Sequence, residues 1–356
     1  MTSITNDQQN AQPMPPNKTG RPQDYGFFGP ESMTWRVWKY PTSLTIGFQR
    51  AVVIEELDPF LIAPVYSTQK IVKRARTRYD NTLKYFATVA FGDARSVVKA
   101  ADMLVKIHSR IVGIEPVSGL RYDANNPDSQ LWIHMTAWHS ILYAYEVFGP
   151  GKLSDQDEIR YWHECAIAAE FQTCSPDAVP RTREGVRQYF EQMRPRMAAS
   201  IATQEIMDHL LNADVMFPPV HWILRPGAWV ANKMLRAATL ATMPAWQRNL
   251  AGMRQWDMTG AIVRTVGRMI FRAFALIASN KIQLNLLGII SPATKPVVEH
   301  VFLNIEPVVK KTFSPAEAFE RHETPSPVER YKTLKMSPEM EKEIVYSQSA
   351  PVPMHS

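Results

Sequence analysis

Two histidines and one arginine–threonine pair are the residues whose types and spacing could do chemistry here. His108 stands in Lys106-Ile107-His108-Ser109-Arg110-Ile111-Val112-Gly113, and His134 in Leu131-Trp132-Ile133-His134-Met135. Both fall on apolar stripes at helical spacing. An imidazole in an apolar wall is costly unless it is hydrogen-bonded or ligates a metal. Each therefore reads either as a satisfied core residue or as a ligand. No set of Asp and Glu shares their faces, so a carboxylate di-iron site is excluded. A single axial histidine facing an apolar cavity would instead suit haem. Arg78 and Thr82 are four apart, on one face of a helix. There the guanidinium could pair with a propionate or polarise oxygen, and the hydroxyl could donate one hydrogen bond. The alternative is a solvated face, because Lys70, Lys73, Arg74, Arg76 and Arg78 put five cations in nine residues.

Other chemistries are missing their motifs. There is no phosphate-cradling GxxxxGK[ST], no GxGxxG after a strand, no GxSxG and no HExxH. Cys165 and Cys174 lack CxxC spacing, and two thiols exclude a disulfide scaffold. Cys165 has no basic partner fixed beside it and reads as a small buried hydrophobe.

The elements that must carry these residues are helices. Val97, Ala101, Leu104, His108 and Ile111 make an apolar stripe over 96–112, and Leu131, Met135, Trp138, Leu142 and Tyr145 another over 128–148. Asn126-Pro127-Asp128 starts the second and Gly149-Pro150-Gly151 stops it. Ser154 and Thr182 are further caps, and 197–214, 227–241 and 258–281 are predicted helices. No hairpin-spaced strand series interrupts them, so the fold class is all-α, a single multi-helix domain. Of 356 residues, 45% are hydrophobic and 21% charged, as in a folded globular protein. Residues 1–25 and 313–356 are Pro-containing and without periodicity; they are predicted as disordered tails around a domain at 26–312. The net charge of +6 is too mild to mark a nucleic-acid binder, and no such motif supports one. The first residues carry no apolar leader, which predicts a soluble, cytoplasmic protein. The apolar stretch 269–290 contains Arg272 and Lys281; it suits a core helix or a peripheral membrane contact better than a span.

Gly29-Pro30-Glu31-Ser32-Met33-Thr34-Trp35-Arg36-Val37 resembles the opening of the MpaB-type oxygenase family, which includes the rubber oxygenases (latex-clearing proteins). Leu57-Asp58-Pro59, Arg78-x-x-x-Thr82, His108-x-Arg110-x-x-Gly113 and Tyr122-x-Ala124-Asn125-x-Pro127 with Leu131-Trp132-Ile133-His134 are similar to its later segments, in order. The likeness spans about residues 26–280. The resemblance implies a helical domain with a globin-like core, a haem b held through its iron by one histidine, and use of O2 to cleave carbon–carbon double bonds in isoprenoid chains. It implies His108 as the proximal ligand with Arg110 in the same segment. His134 becomes a second pocket histidine or the alternative ligand, and Arg78 and Thr82 line the distal side. Asn81 stands where rubber oxygenases carry a lysine, so a lysine-capped resting iron is not expected. Glu55 and Glu56 are the nearest acids for the family's catalytic carboxylate. A hydrophobic, unsaturated small molecule is the implied substrate. A helical carrier that kept the pocket without the reaction is the alternative.

Overall fold

The computed structural model describes residues 21–335, apart from 69, 213–220 and 223–224 and the side chains of 65–75. Ser32 opens α1 (Met33–Trp38) by accepting the Trp35 N–H, and Glu164 accepts those of Met33 and Thr34. A carboxylate thus closes the positive end of the helix dipole. A π-helical turn, Ser43–Gly47, leads into α2 (Phe48–Ile54), every residue of which is buried. Gly47 is required by close approach: a Cβ there would lie 2.8 Å from the Ile141 Cα. A 3-10 turn at Glu55–Leu57 precedes α3 (Pro59–Thr68). α4 (Lys70–Phe91) and α5 (Ala94–His108) form a helical hairpin, with Asp93 capping α5 through the Ser96 N–H at 2.9 Å.

Among the described residues β structure is limited to one hairpin, β1 (Val112–Ile114) antiparallel to β2 (Arg121–Asp123). α6 (Pro127–Phe148) follows, capped by Asn126 and ended at Gly149 as the sequence predicts. It is buried on nearly every side. α7 (Asp155–Ala169) and α8 (Arg183–Met193) open at Ser154 and Thr182, the predicted caps. Then come α9 (Ile201–Leu211), α10 (Arg225–Thr242), α11 (Ala245–Leu250), α12 (Asp257–Ile277), α13 (Asn280–Ile290) and α14 (Lys295–Phe302). α15 (Pro315–Arg321) and α16 (Pro327–Lys335) complete the described chain. At 69% helix the fold is all-α, as expected.

The core centres on α1, α6 and α7. Trp38 donates to the Tyr161 hydroxyl at 3.2 Å, and Tyr161 donates on to the Trp138 carbonyl at 2.8 Å, so large apolar rings bury their polar tips in one another. Arg183 ties α6 to α7 from α8, reaching Glu146 at 2.5 Å and Glu158 at 2.7 Å.

Three expectations change. The first predicted helix ends at His108, where the hairpin begins, and the last breaks at Ser279, which caps α13. Residues 315–335, expected as tail, form α15 and α16. Their prolines sit at the first helical position, where no N–H is needed, and so start helices. Ser314 and Glu317 make a reciprocal capping box, and Arg330 on α16 reaches Asp102 of α5 at 2.6 Å. Residues 1–20 and 336–356 lie outside the described residues.

Candidate functional site

α4 and α5 hold a cavity of about 1050 Å³ between them. α5 supplies Ser96, Ala100, Leu104 and His108, one face at steps of four. α4 supplies Arg78, Thr82, Tyr85 and Phe86 from the other wall. Glu55 enters from the 3-10 turn after α2, Gln130 and Ile133 from α6, and His300 from α14. Met103 and Ile107, both half exposed, mark where it opens. Arg21, Lys84 and Lys99 add positive charge along it.

His108 is half-buried at the last turn of α5. Its Nδ1 lies 3.3 Å from the Gln130 side-chain nitrogen, which also donates to the Ala124 carbonyl at 2.6 Å. Gln172 in turn donates to the Gln130 carbonyl oxygen at 3.2 Å. His108 Nε2 has no hydrogen-bond partner among the described residues. Burial first, and the Arg78 charge second, push the imidazole pKa down to about 4. The ring is therefore neutral, the form that ligates metals.

Arg78 is exposed to the cavity, and its guanidinium has no ion-pair partner among the described residues. It lies near enough to Glu55, Glu56 and His108 to act on the charge of all three. Burial, and then its neighbour Glu56, push Glu55 up to about 8, against the pull of Arg78. Burial likewise raises Glu56 to about 7. Thr82 donates back to the Arg78 carbonyl at 2.9 Å, so its hydroxyl offers the cavity an acceptor.

The structure brings Arg78, Thr82 and His108 to one cavity and leaves His134 and Arg110 out of its wall. On α6 the cavity-facing positions are Gln130 and Ile133; one residue further, His134 turns to the core. Its Nε2–H donates to the Cys165 carbonyl at 2.8 Å, and the ring lies tilted against Trp138. Arg110 follows α5 and is exposed. Of the basic cluster, the side chains of Lys70, Lys73 and Arg74 lie outside the described residues. Gln130, Gln172 and His300 were not picked out from sequence. A glutamine or histidine inside an apolar helical run is the available signal for Gln130 and His300; Gln172, past the end of α7, carries none. His300 is buried against Trp35, and its Nε2 has no hydrogen-bond partner among the described residues.

The all-helical domain thus holds a cavity lined by two histidines, His108 and His300, and by an arginine with no ion-pair partner among the described residues, a form suited to a small molecule. Residues 35–279 match the family described as ER-bound oxygenase mpaB/B'/Rubber oxygenase, catalytic domain; this is well over half of the chain, and the chain belongs to that family. The family is one of oxygenases. No curated protein and no solved structure gives a significant match. The matched span contains every cavity residue from Glu55 to Gln172, while His300 and α13 to α16 lie beyond it.

Proposed function

We propose that this chain is a haem b-dependent oxygenase that uses O2 on an apolar, unsaturated small molecule, with His108 as the proximal ligand and Arg78 and Thr82 on the reacting side. The observation that carries the reading is a neutral histidine with an unpartnered ring nitrogen, set in a cavity wall opposite an unpaired arginine. The donor set agrees with it. No cluster of three His, Cys, Asp or Glu side chains among the described residues could hold a metal ion directly. A macrocycle that supplies its own nitrogens requires one histidine, and of the two in the cavity His108, not His300, is the one whose charge Arg78 acts on.

The residues fit the group. Phe86, Ala100, Leu104 and Ile133 offer apolar contact to a flat ring, and Arg21, Arg78, Lys84 and Lys99 offer cations to its carboxylates. When bound, haem would supply oxygen binding and activation; the protein supplies ligation, orientation and charge. The Gln130 amide nitrogen, fixed by the Ala124 carbonyl and the Gln172 amide, faces Nδ1, so Nε2 carries the ring proton; holding a haem iron through Nε2 would move that proton to Nδ1 and end the Gln130 contact. Arg78, which forms no ion pair with a carboxylate among the described residues, would be free to offer its guanidinium to negative charge on that side of the cavity. Glu55, with a pKa of about 8, holds its proton at neutral pH and can exchange it with the substrate. Asn81 lines the cavity beside Thr82, and an amide leaves the reacting side uncapped.

The test is to express the full chain in haem-replete cells, record its absorption spectrum and iron content, and follow oxygen uptake on adding a short polyisoprene. The expected result is a Soret band and substrate-dependent oxygen uptake. A colourless, iron-free protein overturns the reading.

A further inference from the structure

α12 wears its apolar face outward. Met258, Ile262, Val266 and Met269 follow at steps of four, four and three, and Leu276 and Ile277 continue the same face. Met258 and Met269 are each 69% exposed, Leu276 is 87% and Ile277 83%. The other side of the helix is what packs: Gly267 sits against the Phe148 ring, and Phe271 meets Phe148 edge to face at 5.7 Å. Arg264 and Arg268 fasten that side by donating to the carbonyls of Ala241 and Val147. α13 repeats the arrangement, with Leu284, Leu287 and Ile290 buried and Ile282, Leu286 and Ile289 about half exposed. α10 packs along α12 and exposes Trp229, Val230 and Met234. Soluble monomers rarely show continuous apolar surface beyond a few hundred Å².

The charge of the same segment says what covers it. Residues 221–290 hold nine Lys and Arg and a single acid, Asp257. That excess accounts for the whole positive charge of 26–312, since the rest of that span balances. Arg225, Lys233, Arg254, Arg272 and Lys281 are exposed. Trp222 and Trp256, 67% and 77% exposed, border the same helices. Exposed Leu, Ile and Met beside Lys and Arg, edged by Trp, is the composition of a helix lying in a lipid headgroup layer. A second copy of this chain would set the cationic face against itself.

We propose that α12 and α13, with the N-terminal half of α10, form an in-plane docking surface for an anionic lipid bilayer. The helices lie along the headgroups, with the outward stripe in the acyl boundary and the exposed cations on lipid phosphates and carboxylates. No helix among the described residues is long and apolar enough to cross a membrane. α13 packs on α14, whose Pro296, Val297 and His300 line the cavity. Docking therefore sets one cavity wall beside the bilayer, a source of apolar substrate for the oxygenase read above. The docking itself does not depend on haem, so failure of one reading is distinguishable from failure of the other.

The experiment is co-sedimentation of the full chain with phosphatidylcholine vesicles, with and without phosphatidylserine, at low and high salt. Binding to the phosphatidylserine vesicles at low salt, weakened at high salt, is the expected result. The triple variant Ile262→Glu, Met269→Glu, Ile277→Glu should lose it while keeping the wild-type circular dichroism and melting curve, because all three side chains point outward. A second variant, Lys233→Gln, Arg272→Gln, Lys281→Gln, should bind those vesicles at least about tenfold more weakly. Absence of wild-type binding at low salt overturns the proposal. So does unchanged binding by either variant. A wild-type dimer that the glutamate variant dissolves, without vesicle binding, assigns the face to a second copy and overturns it too.

Discussion

The His108 end of α5 and the His134 stretch of α6 share a sequence signature and differ in what they do with it. Both rings lie on apolar helical stripes, and burial pushes both down to a pKa of about 4. His134 is 1% exposed and spends its Nε2–H on the Cys165 carbonyl, with the Cys165 sulfur also close at 3.3 Å. His108 meets only the Gln130 amide, through Nδ1, and its second nitrogen remains unspent. The lesson is that a depressed histidine pKa marks burial, and burial is common to cores and sites. What separates the two rings is a nitrogen with nothing to do.

The strongest way to break that contrast is to remove each ring in turn. His108→Ala should abolish haem retention, giving a folded protein without a Soret band. His134→Ala should keep the haem at wild-type stoichiometry but lower stability by about 2–4 kcal/mol, from a cavity and a lost buried hydrogen bond in the core. Urea melts measure the second effect. If His134→Ala folds and comes out colourless while His108→Ala stays coloured, the two roles are exchanged.

Local physics made much of this legible. The caps at Asn126, Ser154 and Thr182 and the stripes of α5 and α6 are decided within a few residues, and the sequence shows them. For Arg78 and Thr82 spacing left a solvated face open, and it was the family resemblance that put them in one pocket with His108; all three line the cavity between α4 and α5. The side His134 takes was not legible, because α6 is buried nearly all round and "inward" names no particular neighbour. Glu55, Gln130 and His300 reach the cavity from three separate elements, so only tertiary packing joins them. The last two helices were hidden by prolines that read as breakers and act as starters. The 269–290 stretch was ambiguous for another reason: the same amphipathic pattern serves a core helix and an interfacial one, and only exposure tells them apart.

Gln130 offers a smaller, sharper cut, since it touches one ring and leaves His134 with its own partner. With haem bound, an acceptor on Nδ1–H makes the imidazole a stronger donor and favours the ferric state. Gln130 presents its amide nitrogen rather than an acceptor to the ring, so Gln130→Leu should leave the haem reduction potential near the wild-type value. Gln130→Glu should lower the potential below wild type. Redox titration followed in the Soret band reads both. Equal potentials in all three proteins would mean that the side chain at 130 does not reach the ligand.

The smallest effect separates the two regions by the charges around them. His134 has no carboxylate among the groups that shift it, whereas the Arg78 side of the cavity carries Glu55 and Glu56. An acid whose folded pKa is raised binds its proton more tightly in the native state, so its contribution is present at low pH and fades as pH rises toward the folded value. For Glu55, at about 8, and Glu56, at about 7, that window runs upward from their ordinary value of 4.5. The histidines act in the opposite sense: held neutral to about 4, they cost stability as pH falls below their ordinary 6.5. The two slopes oppose each other in mild acid, and only the acids act between 6.5 and 8. Stability should fall across that interval, and Glu55→Gln should remove roughly 1 kcal/mol of the fall. Urea melts of both proteins at the two ends measure it. A variant that falls as steeply as wild type would show that Glu55 is ionised in the folded protein, which would leave the cavity without a carboxyl able to hand over a proton at neutral pH.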